Sequence, residues 1–168
     1  MTGSLPGDRI PAFRAMVLRA SAGIEEPFDS HGTAGATVYI VNSTTCPFCG
    51  DYAERMREIE KRFIPRGIDV VHVYPNRAEP AEEKRSWHAA RRFLGGQILD
   101  GDAAIAHLLG ADRTPTAYVA RADGILVYRG AIDDAPSGGA VRHAYLADAI
   151  EALLAGEPVA VESTEPYG

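Results

Sequence analysis

The hydrophobic pattern changes its period twice in the first half of the chain. Residues 37–42, "TVYIVN", are a short apolar, β-branched run without helical spacing, which predicts a buried strand. Ala53, Met56 and Phe63 then recur at the spacing of one helical face. Residues 68–75, "IDVVHVYP", predict a second buried strand. This stretch is therefore expected to fold as strand, helix and strand.

In the second half of the chain, helical spacing returns three times and a hairpin signal interrupts it once. The helical patterns cover residues 79–94, 101–110 and 141–154. Two apolar runs between residues 116 and 130 flank Asp123-Gly124, a dipeptide typical of a hairpin turn. Because strands and helices alternate, the pattern predicts an α/β fold with a mainly parallel sheet, to which the hairpin adds antiparallel strands.

The same pattern predicts one domain with a short segment at each end. A chain of 168 residues with 46% hydrophobic content can bury one sizeable core. Residues 36–156 carry the strong periodic signals and are assigned to this domain. Residues 1–35 are predicted to be a lead-in packed on it, with a candidate strand at 12–18 and a loop at 24–36. Residues 157–168 are interpreted as a C-terminal tail.

Charge and composition narrow the classes of partner. The formal net charge of −6 and the pI near 5.3 argue against nucleic acid and anionic membrane surfaces, which bind clustered positive charge. No stretch approaches the ~20 apolar residues of a membrane helix, and the first residues lack the apolar core of a signal peptide. The compartment stays open: the chain as written is compatible with the cytoplasm, and with the periplasm or exterior if a signal segment was removed.

Both cysteines of the chain lie in one motif, "CPFC", at residues 46–49. The motif follows the first predicted strand and opens the next helix, where unpaired backbone N–H groups and the helix dipole stabilise a thiolate. Cys49 returns to the same helical face one turn after Cys46, and we expect it to be more buried and less acidic. We therefore predict that Cys46 is the nucleophile of a thiol–disulfide exchange and that Cys49 resolves the mixed disulfide. Pro47 restricts the loop between them, and Phe48 offers either an apolar contact to a substrate or plain turn geometry.

The sequence does not support the two other roles of a cysteine pair, which are a structural disulfide and a zinc site. A disulfide across so short a loop stabilises a fold only slightly. A structural zinc site takes four ligands, but no second CxxC exists and the histidines show no pair at ligand spacing. We expect no metal and no cofactor other than a redox-active Cys46–Cys49 disulfide. His72 is interpreted as a core histidine, whereas His88 and His107 are predicted on helix surfaces.

The motifs and their order resemble the thioredoxin-like superfamily. The two matching motifs are "CPFC" at 46–49 and "TPTAYV" at 114–119. Residues 93–134 sharpen the resemblance towards the redoxin branch, which includes the AhpC/TSA and TlpA-like proteins. The resemblance covers roughly residues 36–160, with a weaker match at 6–13.

This resemblance implies a thioredoxin-like fold, with a central mixed β-sheet flanked by helices, an N-terminal extension and a TlpA-like insertion. It implies a thiol–disulfide oxidoreductase that acts on protein disulfides together with an upstream dithiol reductant or oxidant. It further implies that Pro115 is a cis proline packed against the disulfide and that Thr114 presents its backbone to a bound substrate chain. Pro47, Phe48, Thr114 and Pro115 are therefore the candidate substrate-binding residues.

One departure from the family pattern concerns a buried acid. Thioredoxins usually carry one on the strand that leads into the CxxC, where it assists proton transfer to the second cysteine. The strand at 37–42 offers only Tyr39 and Asn42 as polar groups. Asp51 and Glu54, just inside the predicted helix, are the candidate substitutes for this acid, although acids at that position more often complement the helix dipole.

Two related activities and one binding role are the alternatives to disulfide exchange. Peroxiredoxins need a proline seven residues, and a threonine or serine three residues, before their cysteine; Ser43 fits this spacing and Tyr39 does not. Glutaredoxins place a Gly-Gly element soon after the hairpin, whereas Gly138-Gly139 comes late. The third alternative is a non-catalytic module that presents Phe48, Thr114 and the neighbouring surface to a partner. The direction of electron flow, the physiological partner and the oligomeric state stay open at this point.

Overall fold

A computed structural model describes residues 3–19, 23–33 and 35–168. Residues 1, 2, 20–22 and 34, which belong to the predicted lead-in, lie outside the described residues. The strands are β1 (Arg14–Arg19), β2 (Ile24–Asp29), β3 (Thr37–Val41), β4 (Asp69–Tyr74), β5 (Gly96–Leu99), β6 (Thr116–Ala120) and β7 (Leu126–Gly130). The helices are α1 (Pro47–Phe63), α2 (Ala81–Ala90), α3 (Ala104–Leu109) and α4 (Tyr145–Leu154), and a short 3₁₀ turn, Ile64–Arg66, follows α1.

The seven strands of the described residues form one mixed sheet in the order β2-β1-β5-β4-β3-β6-β7. The central strands β3, β4 and β5 are parallel, and β6 and β7 add an antiparallel hairpin at one side. At the other side β1 pairs antiparallel to β5 and β2 pairs antiparallel to β1. The predicted α/β fold with a central mixed sheet flanked by helices is confirmed, but the prediction that the sheet is mainly parallel is wrong, because four of its six strand pairings are antiparallel.

The sheet separates two hydrophobic cores. On β3, Val38 and Ile40 point into a first core that is covered by α1 and α4, for example by Met56 and Ile150. Tyr39, on the same strand, points into a second core, which also contains side chains of α3 and of the N-terminal segment. Both faces of the central strands are therefore buried, as expected for parallel strands.

Three elements differ from the sequence prediction. Residues 24–29, predicted as part of a loop, form the edge strand β2, and residues 96–99 form β5, which the pattern did not predict. The helix predicted over 79–94 is shorter and covers only Ala81–Ala90. Its buried side chains include His88, so the prediction that His88 lies on a helix surface is wrong, whereas His107 is exposed as predicted.

None of the helices in the described part of the chain is long and apolar enough to cross a membrane.

Candidate active site

The CPFC motif lies at the junction of β3 and α1, as the sequence pattern predicts. Cys46 is the N-cap residue of α1, and Pro47 occupies the first turn, where its missing N–H and fixed φ suit a helix start. Cys46 is partly exposed, whereas Cys49 is fully buried, and both thiols are free. Phe48 is partly buried and packs against the first core.

The Thr-Pro motif lies beside the cysteines because β3 and β6 are neighbours in the sheet. Val41, at the end of β3, pairs with Thr116, at the start of β6. The thiol of Cys46 donates a hydrogen bond to the carbonyl oxygen of Thr114 at 3.1 Å. The Thr114–Pro115 peptide bond is cis, as the family resemblance implies. The structure thus brings together the residues that the two sequence motifs single out.

Cys49 has surroundings that keep its proton in place. Burial raises the pKa of the Cys49 thiol to about 12, although the backbone N–H of Ser43, which donates to its sulfur at 3.4 Å, acts in the opposite direction. Cys46 and Cys49 therefore differ in exposure and in access to solvent, which is the asymmetry that a nucleophile and a resolving thiol require.

Glu79 organises the loop that connects β3 to α1, and the sequence reasoning missed it. Its buried carboxylate accepts hydrogen bonds from the hydroxyls of Ser43 and Thr45, from the backbone N–H of Thr44 at 3.1 Å, and from Asn76 Nδ2 at 2.9 Å. Although burial alone would raise the pKa of Glu79, these hydrogen bonds outweigh it and lower the pKa. A negative charge is thus held beneath the residues that precede Cys46.

A buried acid does exist in the first core, but on a helix rather than on the strand. Glu60 of α1 is fully buried; its carboxylate bonds to His72 Nε2 and accepts from the backbone N–H of Leu94. His72 Nδ1 lies 2.8 Å from Asn42 Nδ2. His72 is therefore the hydrogen-bonded core histidine that the sequence predicts.

Asp51 and Glu54, the candidate substitutes for the missing strand acid, are both exposed. Neither makes a hydrogen bond to Cys49 within the described ranges. Both side chains therefore face solvent near the N-terminus of α1.

A cleft of about 290 Å³ opens beside the cysteines. Its lining includes Ser43, which contacts Cys49, Thr114, which contacts Cys46, and Ala106 and His107 of α3. The cleft therefore adjoins the carbonyl that Cys46 contacts.

Within residues 3–19, 23–33 and 35–168, no group of three or more His, Cys, Asp or Glu side chains is placed to hold a metal ion.

Comparisons with known proteins bear on both the fold and the site. A family model described as Redoxin matches residues 5–145. An uncharacterized conserved protein from Geobacillus kaustophilus is similar in structure, with a TM-score of 0.82 at 22% identity over 96% of this chain and 87% of that one. A hypothetical protein from Sinorhizobium meliloti superposes with a TM-score of 0.81 at 25% identity over 98% of this chain and 94% of that one.

A third similar structure is a secreted disulfide oxidoreductase of Mycobacterium tuberculosis, homologous to Escherichia coli DsbE. Its TM-score is 0.56 at 20% identity, over 68% of this chain and 79% of that one. No curated protein sequence matched the chain. The family match covers both the CPFC motif and the Thr114-Pro115 motif.

Proposed function

Because the chain belongs to the Redoxin family, we propose that it is a thiol–disulfide oxidoreductase that exchanges electrons with cysteine pairs of other proteins. The observation that carries this proposal is the asymmetry of the two thiols: Cys46 is accessible at a helix N-terminus against the Thr114 carbonyl, and Cys49 is buried one turn later. The similarity to the secreted disulfide oxidoreductase of M. tuberculosis supports the same class of reaction.

The proposed reaction consists of two exchanges. The Cys46 thiolate attacks one sulfur of a substrate disulfide, so that a Cys46–substrate disulfide forms and the other substrate sulfur leaves as a thiolate. Cys49 then loses its proton and attacks the Cys46 sulfur, which forms the Cys46–Cys49 disulfide and releases the second substrate thiolate. Two electrons pass from the protein to the substrate, and the same steps in reverse oxidise a substrate dithiol.

Because their surroundings differ, Cys46 and Cys49 act as nucleophiles in different exchanges. The raised pKa of Cys49 keeps this thiol protonated and inert while Cys46 reacts with a substrate. Deprotonation of Cys49 therefore precedes the second exchange, which is expected to become faster as the pH rises.

The substrate is proposed to be an exposed disulfide or dithiol in a polypeptide. The cleft lined by Thr114 and α3 leaves room for the side chains next to the reacting sulfur, and the carbonyl of Thr114 contacts the Cys46 thiol. Pro47 and Phe48, the first residues of α1, directly follow Cys46 and are proposed to contact the same substrate. The Cys46–Cys49 pair is the only redox group that this mechanism uses.

Peroxide reduction receives less support from the geometry. The hydroxyl of Ser43, which fits the peroxiredoxin spacing, donates to Glu79. It is thus committed to the loop rather than to the sulfur of Cys46.

Reduction of insulin disulfides by the reduced protein tests the proposal. We expect the Cys46→Ser variant to be inactive, because it lacks the nucleophile. The Cys49→Ser variant is expected to accumulate a covalent complex with its substrate, because the first disulfide is not resolved; mass spectrometry detects this complex. A Cys46→Ser variant that retained full activity would overturn the proposal. The reduction potential of the pair then gives the direction of electron flow, with ~−270 mV typical of a reductant and ~−120 mV of an oxidant.

A further inference from the structure

The C-terminal segment, residues 162–168, runs along the edge of β7 that faces away from β6. The backbone N–H of Arg129 donates to the carbonyl of Glu162 at 3.0 Å, and the N–H of Thr164 donates to the carbonyl of Arg129 at 3.1 Å. Ser163 and Arg129 form a parallel bridge. Because β7 is the last strand in the sheet order, the C-terminal segment covers this edge.

Thr164 anchors the segment at the end of β7. Its hydroxyl accepts a hydrogen bond from the backbone N–H of Ala131 at 2.9 Å and shares a second one with the Tyr128 hydroxyl at 2.8 Å. Gly130, with φ +143°, permits this approach, because a Cβ atom there would lie 2.2 Å from Thr164 Oγ1. Gly130, Tyr128 and Ala131 at the end of β7 thus form a close-fitting binding site for the Thr164 side chain.

The direction of the segment leads it to the candidate active site. β7 is antiparallel to β6, and β6 is antiparallel to β3, so β7 and the segment run the same way as β3. They therefore run towards the edge of the sheet where β3 ends and the CPFC motif lies. Beyond Thr164, the carbonyl of Pro166 accepts from the Arg113 guanidinium at 3.4 Å, and Tyr167 packs partly buried against the first core.

Gly168 reaches the carbonyl that Cys46 contacts. A Cβ atom on Gly168 would lie 2.0 Å from the carbonyl oxygen of Thr114, so only a glycine fits in this conformation, which has φ +124°. The same oxygen accepts the hydrogen bond from the Cys46 thiol at 3.1 Å. The segment and the nucleophile therefore meet at one backbone group.

We propose that residues 165–168 occupy the surface on which an extended segment of a protein substrate binds next to Cys46, and that a substrate must displace them. That a protein substrate displaces these residues rests on the proposed function, whereas their position on this surface does not. Since two chains cannot both lie against the Thr114 carbonyl, the segment competes with any polypeptide that pairs there. Thr164 keeps the displaced residues attached, so they return when the substrate leaves.

The expected size of the effect follows from the fraction of time for which the surface is free. The apparent affinity for a competing ligand is the intrinsic affinity multiplied by that fraction, so a segment that is displaced in about one molecule in ten weakens binding about tenfold. A small reagent that needs no peptide surface escapes this competition.

Two reagents that react with Cys46 distinguish competition for the peptide surface from shielding of the sulfur itself. The first is a short extended peptide that carries a cysteine–thionitrobenzoate disulfide: Cys46 attacks the peptide sulfur, and the thionitrobenzoate that leaves is measured by its absorbance. The second is iodoacetamide, which alkylates the same sulfur. The variants are deletion of residues 165–168, which retains the Thr164 anchor, and Gly168→Ala, which adds a Cβ against Thr114. We expect both variants to react about 3- to 10-fold faster with the peptide probe and nearly unchanged with iodoacetamide.

Gly138→Ala is the matched control, because Gly138 also has a positive φ, +85°, but a Cβ there meets nothing within 4 Å. Equal peptide-probe rates for Gly168→Ala, Gly138→Ala, the deletion and the unmodified protein would overturn the proposal. So would an equal acceleration with both reagents, since the segment would then shield the sulfur and not a peptide surface. If the rates change as expected but insulin is not reduced, the proposed function fails while the occupancy by residues 165–168 stands.

Discussion

At the scale of single residues, Glu79 is the side chain whose removal tests the geometry before Cys46. Glu79→Gln removes the negative charge and replaces one carboxylate oxygen by an NH₂ group, which only donates. This NH₂ group faces the backbone N–H of Thr44 in either orientation of the amide, because that N–H contacts both carboxylate oxygens. We expect the free energy of unfolding to fall by about 1–3 kcal/mol. The loop that holds Ser43 N–H against Cys49 also loses order, which is expected to shift the reduction potential of the Cys46/Cys49 pair. Urea unfolding and equilibration with glutathione measure the two effects.

Glu83→Gln is the control for this change, because Glu83 lies exposed in the first turn of α2. This variant also removes one acidic charge from the same part of the chain, but among the described residues Glu83 makes no hydrogen bond to the 43–45 loop. A potential that moves equally in both variants would assign the effect to charge alone, and a Glu79→Gln protein with unchanged stability and potential would contradict the positioning role.

The sequence predicts the reacting residues better than it predicts their support. Cys46, Cys49 and Thr114-Pro115 belong to short motifs, so their positions follow from spacing and from the family resemblance. Glu79 lies more than thirty residues from the loop it holds, at what the pattern marks only as the start of a helix. The one available signal was a carboxylate placed shortly after a buried strand whose neighbour ends at the CPFC motif.

At the scale of elements, His88 attaches α2 to the sheet and makes stability depend on pH. Its Nδ1 accepts from the Tyr74 hydroxyl of β4 at 2.6 Å, and its Nε2 donates to the carbonyl of Gly95, next to β5, at 3.1 Å. Burial, aided by the neighbouring His72, lowers the pKa of His88 to about 3. The unfolded chain binds a proton near its ordinary pKa of about 6.5, so the contribution is full above that pH and is lost as the pH falls towards 3.

We therefore expect His88→Phe to reduce the difference in unfolding free energy between pH 7 and pH 5 by about 2 kcal/mol. Its stability at pH 7 is also expected to be lower, because the Tyr74 hydroxyl loses its acceptor. Urea titrations at the two pH values measure both quantities. His107→Gln, at an exposed histidine of α3, is the control and should keep the pH dependence of the unmodified protein. An unchanged pH dependence in His88→Phe would contradict the assignment.

The elements that the sequence does not predict have weak local signals. β5 has only four residues, shorter than most strands, and two consecutive glycines, Gly95 and Gly96, blur its start. β2 contains Pro27 and two glutamates, which are typical of loops; at the edge of the sheet, a proline and exposed charges are tolerated. Both strands form because neighbouring strands pair with them, and that information lies elsewhere in the chain.

At the scale of the whole molecule, the lead-in of the sequence prediction is part of the sheet and of the second core. Phe13 and Phe28 pack around Tyr39 of β3, with ring centroids 5.7 and 6.2 Å from it. Tyr39 shares its strand with Val38 and Ile40, which belong to the first core. Local periodicity cannot reveal this connection, since it depends on which face of β3 the N-terminal segment covers. It implies that the two cores unfold together.

Phe28→Ala tests this cooperativity, with the chain's single tryptophan as the reporter. Trp87 packs against the first core, on the opposite side of the sheet from Phe28. Loss of the Phe28 ring leaves a cavity in the second core and is expected to lower the free energy of unfolding by about 3–5 kcal/mol. If the cores unfold together, the urea midpoint measured by Trp87 fluorescence falls as far as the midpoint measured by far-UV circular dichroism. Met16→Ala, at an exposed position of β1, controls for a change in the N-terminal strands that leaves the core intact. A Trp87 transition that stays in place while the circular dichroism signal splits into two steps would instead make the N-terminal strands a separate unit of folding.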